Sequence, residues 1–118
     1  MDLHSTDDAM LWPGKTIVMP TGIRLAIPSG YEGQIRPRSG LAVRNNITVL
    51  NAPGTIDSDF RGEVAVILIN HGILRHQINR GERIAQIVFC PVVRVTLDVV
   101  ETLDDTTRGE GGFGSTGT

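Results

Sequence analysis

Asp57 and Asp59 stand two residues apart in "NAPGTIDSDFRGE" (51–63), so in an extended chain both project to one side with Ser58 opposite. A carboxylate held at the mouth of a β-structure serves as a general base toward water or as a metal ligand. Acidic turn residues also bond their own backbone, and that reading stands beside the first. In "PRSG" (37–40), Arg38 and Ser39 coincide with the start of a short helical pattern. A guanidinium, a hydroxyl and free backbone N–H groups fit a phosphate oxygen, and they equally fit a helix cap beside a solvated arginine. Gln86 is an amide inside the apolar run "RIAQIVF" (83–89). Buried without partners it would cost about 1–3 kcal/mol, so it is expected to tie down backbone or to position a water or substrate. The segment "RGEGGFGSTGT" (108–118) carries Arg108, Phe113, Ser115 and Thr116 on glycines that build neither helix nor strand.

Several other chemistries drop out. "PGKT" (13–16) imitates the end of a Walker A loop, but Ala9 stands where its first glycine belongs, and a β-branched run with Pro20 follows instead of a helix. Cys90 is the single cysteine and lies in "IVFCPVV", where a core thiol is expected. His4, His71 and His76 show no ligand spacing. The net charge of −2 offers no basic face for nucleic acid, so none is expected as a partner. Lys15 is the only lysine among 11 basic residues, and the arginine forks suit bidentate phosphate or carboxylate contacts.

The elements that must position these groups read as strands. "TIVMPTGIRLAI" (16–27), "YEGQIRP" (31–37), "ITVL" (47–50), "GEVAVILIN" (62–70), "RIAQIVFCPVV" (83–93) and "VTLDVVE" (95–101) are short and β-branched. "PSGYEG", "NAPG", "NHG" and "NRGE" supply the turns between them. "SGLAVRNN" (39–46) predicts one short helix with Ser39 as its cap and Asn45 or Asn46 at its end. An all-β barrel or sandwich is expected over residues 1–103. Beyond Leu103 apolar residues nearly vanish, and 104–118 has the composition of a flexible arm that a partner orders.

At 118 residues, 40% hydrophobic and 20% charged, the chain has the size and composition of one globular domain. Its longest apolar run, Val64 to Ile69, is too short to span a bilayer. "MDLHSTDDAM" is acidic and polar where a signal peptide would be basic and then apolar, so a cytoplasmic protein without membrane partners is expected.

Taken together, "MDLHS", "PRSGLA", "NAPGTIDSDFRGE", "RGERIAQIVF" and "RGEGGFGSTG", in this order and at these separations, resemble the motifs of the trimeric deoxyuridine triphosphatase (dUTPase) family. The resemblance implies a jelly-roll-like β-barrel, or β-clip, with one short helix and a flexible C-terminal arm, assembled as a homotrimer whose active sites draw on all three chains. It implies Mg²⁺-dependent hydrolysis of dUTP to dUMP and pyrophosphate, which keeps uracil out of DNA and supplies dUMP. By position, Asp57 is then the base toward the attacking water, and Gln86 helps place that water. Arg38, Ser39 and Gly40 hold the phosphate chain, with Ser39 also counted among the catalytic groups. Asn51, with Gly54, Thr55 and Ile56, reads the uracil edge. Phe60 lies under the deoxyribose, where the family usually has tyrosine. Asp2 holds the hydrated metal ion. In the tail, Arg108, Ser115 and Thr116 grip the γ-phosphate while Phe113, followed by Gly114, covers the uracil.

Two departures stand out. Phe60 lacks the hydroxyl of the usual tyrosine, which preserves stacking and sugar discrimination but loses any hydrogen bond made there. Family members carry a further strand before the first motif, so an unpaired sheet edge is expected beside Asp2. Two alternatives remain at this level. The dCTP deaminases share the fold and need a glutamate in the barrel pocket, for which Glu63 is the nearby candidate. A non-enzymatic trimer that binds nucleotide and signals to a partner is the other.

Overall fold

The computed structural model describes residues 1–117. Its strands are β1 (Asp2–His4), β2 (Ala9–Leu11), β3 (Thr16–Arg24), β4 (Tyr31–Arg36), β5 (Ile47–Val49), β6 (Gly54–Ile56), β7 (Glu63–Asn70), β8 (His76–Ile78) and β9 (Arg83–Pro91), with helix α1 (Ser39–Asn45) between β4 and β5. They form antiparallel sheets ordered β1-β9-β4-β6, β3-β7-β5 and β2-β8. This is the expected all-β, jelly-roll-like fold. No helix among the described residues is long and apolar enough to cross a membrane.

The period of two in "GEVAVILIN" explains why β7 lies at the centre of its sheet. Val64, Val66, Leu68 and Asn70 turn inward and are fully buried, while their neighbours are only partly covered. Opposite them, Leu3, Ile35, Ile84, Ala85 and Ile87 close the core from the β1-β9-β4-β6 sheet, and Leu11 and Ile78 close it from the small one. β3 is shorter than the expected 16–27. It lies at an edge, where Pro20 is tolerated, and its ladder breaks between Pro20 and Arg24, where Gly22 adopts φ +71°.

Asn70 is the buried polar knot of this end of the fold. Its Nδ2 donates to the carbonyls of Leu11 (3.1 Å) and Leu74 (2.8 Å), and its Oδ1 accepts the Gly72 N–H (2.8 Å). The backbone of the same residue pairs with Lys15 and Gly14, so one residue joins the β2–β3 and β7–β8 turns.

Three expectations need correction. Ser39 does not cap α1: Arg38 is the capping residue, in extended conformation and without a side-chain bond, and Ser39 is the first helical residue. The other end is as read, with Asn46 in the left-handed region (φ 56°) and its N–H bonded back to Ala42 and Leu41. Cys90 is half-buried instead of sealed in the core, because β9 is running out of the body there. Finally, residues 95–101 form no strand. Both neighbours of β9 are already taken, by β1 and β4, and the chain leaves the sheet with Val93, Val95, Leu97 and Val99 all strongly exposed. A radius of gyration of 19.0 Å, against about 13 Å for a compact chain of this length, measures how far this arm extends.

Asn70→Ala would remove one buried and two part-buried hydrogen bonds, to the Leu11 and Leu74 carbonyls and the Gly72 N–H. It is expected to cost about 2–4 kcal/mol, read as a lowered denaturation midpoint in urea.

Candidate active site

The register of β1 against β9 sets the first group of residues. Asp2 pairs with Gln86 and Leu3 with Ala85, but His4 pairs with Arg83, so β9 carries one extra residue there. Through this bulge Ile84 and Ala85 both turn inward, while Arg83 and Gln86 both face solvent on the side of Asp2. Gln86 Nε2 lies 3.4 Å from Asp2 Oδ1 and Arg83 Nη1 lies 3.5 Å from Asp2 Oδ2. Gln86 is thus an exposed amide, not the buried one expected, because it alternates with the buried Ala85 and Ile87; the bulge acts on Arg83 and brings it to the same face.

Arg38, held just before α1, completes this corner. Its Nε is 3.6 Å from Asp2 Oδ1 and its Nη1 donates to the Arg83 carbonyl at 3.1 Å. Nε is buried and makes no hydrogen bond among the described residues. Nε faces the Asp2 carboxylate just beyond hydrogen-bond length, so it is held there by charge. Ser39 and Gly40 follow directly on the first turn of α1. Arg83 was not singled out from the sequence. Its signal was there: two adjacent apolar residues, Ile84 and Ala85, interrupt the alternation and make an odd spacing face one way.

The Asp2 carboxyl feels opposing influences. Burial, the largest of them, raises its pKa, but the Gln86 hydrogen bond and the charges of Arg38 and Arg83 together outweigh it, and the net shift is downward. Asp2 therefore stays ionised, one carboxylate flanked by two guanidiniums. Mg²⁺ keeps several waters and uses one or two carboxylates plus substrate phosphates, and a single exposed carboxylate such as Asp2 fits that manner of binding. A protein cage is not offered: no group of three or more His, Cys, Asp or Glu converges among the described residues.

The second group lies on the hairpin after β5. The Asn51 amide packs against Gly54, where an added Cβ would come within 3.2 Å of Asn51 Nδ2. Asp57 is exposed at the end of β6, and the Phe60 N–H bonds its carbonyl at 3.1 Å. Residues 57–60 thus form a turn, so the same-side projection of an extended chain does not apply to Asp57 and Asp59. Both aspartates line a cavity of about 620 Å³ with Tyr31, Glu32, Arg61 and Arg94. The Phe60 ring lies over Gly62, whose missing Cβ would meet Phe60 Cζ at 2.6 Å. Glu63 Oε1 accepts the Gly22 N–H at 2.8 Å, which occupies the one glutamate a deaminase reading needs.

In the tail, Arg108 Nε donates to the Gly111 carbonyl at 2.7 Å, and Arg108, Phe113, Gly114, Ser115 and Thr116 line one shallow concavity. Phe113 is fully exposed. Thr118, the last residue of the expected arm, lies outside the described residues.

The corner and the hairpin do not meet within one chain. Ile56 pairs with Gly33, and Gln86 with Arg36 on the opposite side of β4. Asp57 is then about four residues along and two strands across from Gln86, on the order of 15 Å. A general base must approach its proton to about 3 Å.

A family model described as dUTPase matches residues 1–117. The chain is 55% identical over 119 residues to the deoxyuridine 5'-triphosphate nucleotidohydrolase of Syntrophotalea carbinolica, covering 99% of this chain and 81% of that protein. It is 53% identical over 117 residues to the protein of the same name from Clostridium tetani, with the same coverage. Among solved structures, a glycine-to-serine mutant of the Staphylococcus bacteriophage 80alpha dUTPase with dUpNHpp matches with a TM-score of 0.90 at 27% identity, covering 99% of this chain and 85% of that one. A tyrosine-to-phenylalanine mutant of the same phage enzyme, also with dUpNHpp, gives 0.87 at 29% identity over the same shares.

The lowered Asp2 pKa has a definite sign. A carboxyl whose folded value is depressed stabilises the fold above its unfolded pKa, and this is lost as pH falls through the folded value. A ¹³C-detected titration is expected to give Asp2 a midpoint below 3.8, and Gln86→Ala is expected to raise it.

Proposed function

The chain belongs to the dUTPase family, and we infer from that membership that it is a dUTP nucleotidohydrolase, releasing dUMP and pyrophosphate. On the structural side, the observation that carries this reading is the corner of Asp2, Arg38 and Gln86, where one carboxylate is flanked by the guanidiniums of Arg38 and Arg83. It has the polarity of a site for the phosphate end of a nucleotide.

Attack at the α-phosphorus forms a bond from a water oxygen to phosphorus and breaks the bond to the bridging oxygen of the leaving pyrophosphate. Such a reaction asks for an oriented nucleophile, a proton acceptor and charge neutralisation on the leaving group. In this reading Asp57 accepts the water proton, Gln86 orients the water, and Arg38, Ser39 and Gly40 hold the phosphate chain. Asn51, packed on Gly54, reads the uracil edge with Thr55 and Ile56. A tight backbone turn there excludes a 5-methyl group sterically, whereas cytosine presents the wrong hydrogen-bond pattern. Phe60 underlies the deoxyribose, and its ring leaves no room for a 2′-hydroxyl. Asp2 holds a hydrated Mg²⁺, which when bound neutralises charge along the phosphates.

The separation of Asp57 from Gln86 supports a site shared between copies of the chain. So does the exposed apolar arm after Pro91, and we propose the homotrimer of the family with each site drawn from its chains. The glycine-rich segment 104–118 is then a lid that brings Arg108, Ser115 and Thr116 to the γ-phosphate and Phe113 to the uracil. Ordering a chain costs on the order of 1–2 kcal/mol per residue, which the triphosphate contacts offset. The proposed place of work is the cytoplasm.

Purified protein is expected to release pyrophosphate from dUTP far faster than from dCTP, dTTP or UTP, and Asp57→Asn to abolish nearly all turnover while still binding nucleotide. Equal rates on the four nucleotides, or an unimpaired Asp57→Asn enzyme, would refute the reading. Removing 108–118 is expected to leave a folded assembly whose kcat/KM for dUTP is sharply reduced; an unfolded product would make the tail structural instead.

A further inference from the structure

We propose that Arg83 is a further triphosphate-binding residue of this site, held in reserve by Asp2 until the nucleotide arrives. The proposal rests on the reading of the chain as a dUTP nucleotidohydrolase. Three features of the structure carry it.

The first is aim. In a regular ladder, residues 83 and 86 would face opposite sides of β9; the extra residue between them turns both toward Asp2. A bulge that moves a guanidinium onto the face of the orienting amide is a device for placing a side chain. The same irregularity lets the adjacent Ile84 and Ala85 both be buried on the other face.

The second is charge. Asp2 is the only carboxylate within salt-bridge reach of Arg38 or Arg83 among the described residues, and it meets one guanidinium with each oxygen. Two cations share one anion, so the corner carries an excess positive charge and lacks a second anionic partner. A nucleotide triphosphate is an anion of that kind.

The third is freedom to move. The Arg83 side chain is 58% exposed and its contact to Asp2 is long, at 3.5 Å. Exposed ion pairs of this kind contribute little to stability, so the fold does not depend on keeping it. Its main chain is fixed meanwhile, since the Arg83 carbonyl accepts from Arg38 Nη1 and the strand pairs with β1. The guanidinium can swing while its root stays beside Arg38.

The test is calorimetric titration of the assembled protein with the non-hydrolysable triphosphate dUpNHpp and, separately, with dUMP. Arg83→Met is expected to weaken dUpNHpp by about tenfold or more and dUMP by no more than about twofold, because charge-assisted bonds to the outer phosphates are what it loses. Arg83→Lys is expected to recover part of that loss, keeping the charge without the fork. Unchanged dUpNHpp affinity in Arg83→Met overturns the proposal, and so does an equal loss for both ligands, which is the mark of a structural role. If Arg83→Met does not fold, Arg83→Lys decides by the same comparison: a larger loss for dUpNHpp than for dUMP supports the assignment, and equal losses reject it. Wild-type protein that fails to bind dUpNHpp at all removes the functional reading, and the proposal with it.

Discussion

A β-ladder sends successive side chains to alternate faces, and β9 departs from that rule once, between Arg83 and Gln86. The position of that departure governs the whole corner. β9 is flanked by β1 and β4, so its outer face is where a group from β1 and one from the β4–α1 connection are brought together. Asp2 comes from the first and Arg38 from the second, and both converge on the residues the bulge has turned outward. A ladder without it would have sent either Gln86 or Arg83 into the core, against Leu3 and Ile87. The inward face gains from the same irregularity, since Ile84 and Ala85 both fill space under Leu3.

The rest of the chemistry is arranged with equal economy but at a distance. The hairpin of Asn51, Asp57 and Phe60 and the corner of Asp2 and Gln86 sit on opposite sides of β4, toward different ends of it. Rigid strands make that separation permanent, because no side-chain rotation spans on the order of 15 Å. The apolar stripe of Val93, Val95, Leu97 and Val99 is likewise without cover in one chain. Both facts have one physical origin. The body spends its interior on a core formed by its own sheets and leaves these two groups of side chains on separate outer faces, which is the physical ground for the shared site proposed above.

Much of this was legible in the residues. The long strands β3, β4, β7 and β9 announced themselves by β-branched runs, and α1 by the pattern ending at Asn46. The ordered motifs pointed to Asp2, Arg38, Asp57 and Gln86, and the structure gathers three of these four at one corner. Less legible were β1, β2, β6 and β8, because three residues are too few for a period to register. Gln86 was misjudged as buried, since an apolar neighbourhood in sequence does not say which face of the strand is solvated. Ser39 was misjudged as a cap because the preference for serine there is statistical, and Arg38 takes the position with its backbone alone. The run 95–101 has a true strand alternation and no strand. Propensity describes what a segment can pair as, while pairing needs a vacant neighbour.

Gly62 has a consequence for how this protein can change over generations. Its missing side chain is the floor on which the Phe60 ring rests, and any larger residue would collide with the far edge of that ring. The two positions are therefore one heritable unit. A lineage that enlarges residue 62 must first, or at once, accept a smaller or displaced ring at 60. Drift at either site is filtered by the occupant of the other, although neither has to touch the reacting phosphorus.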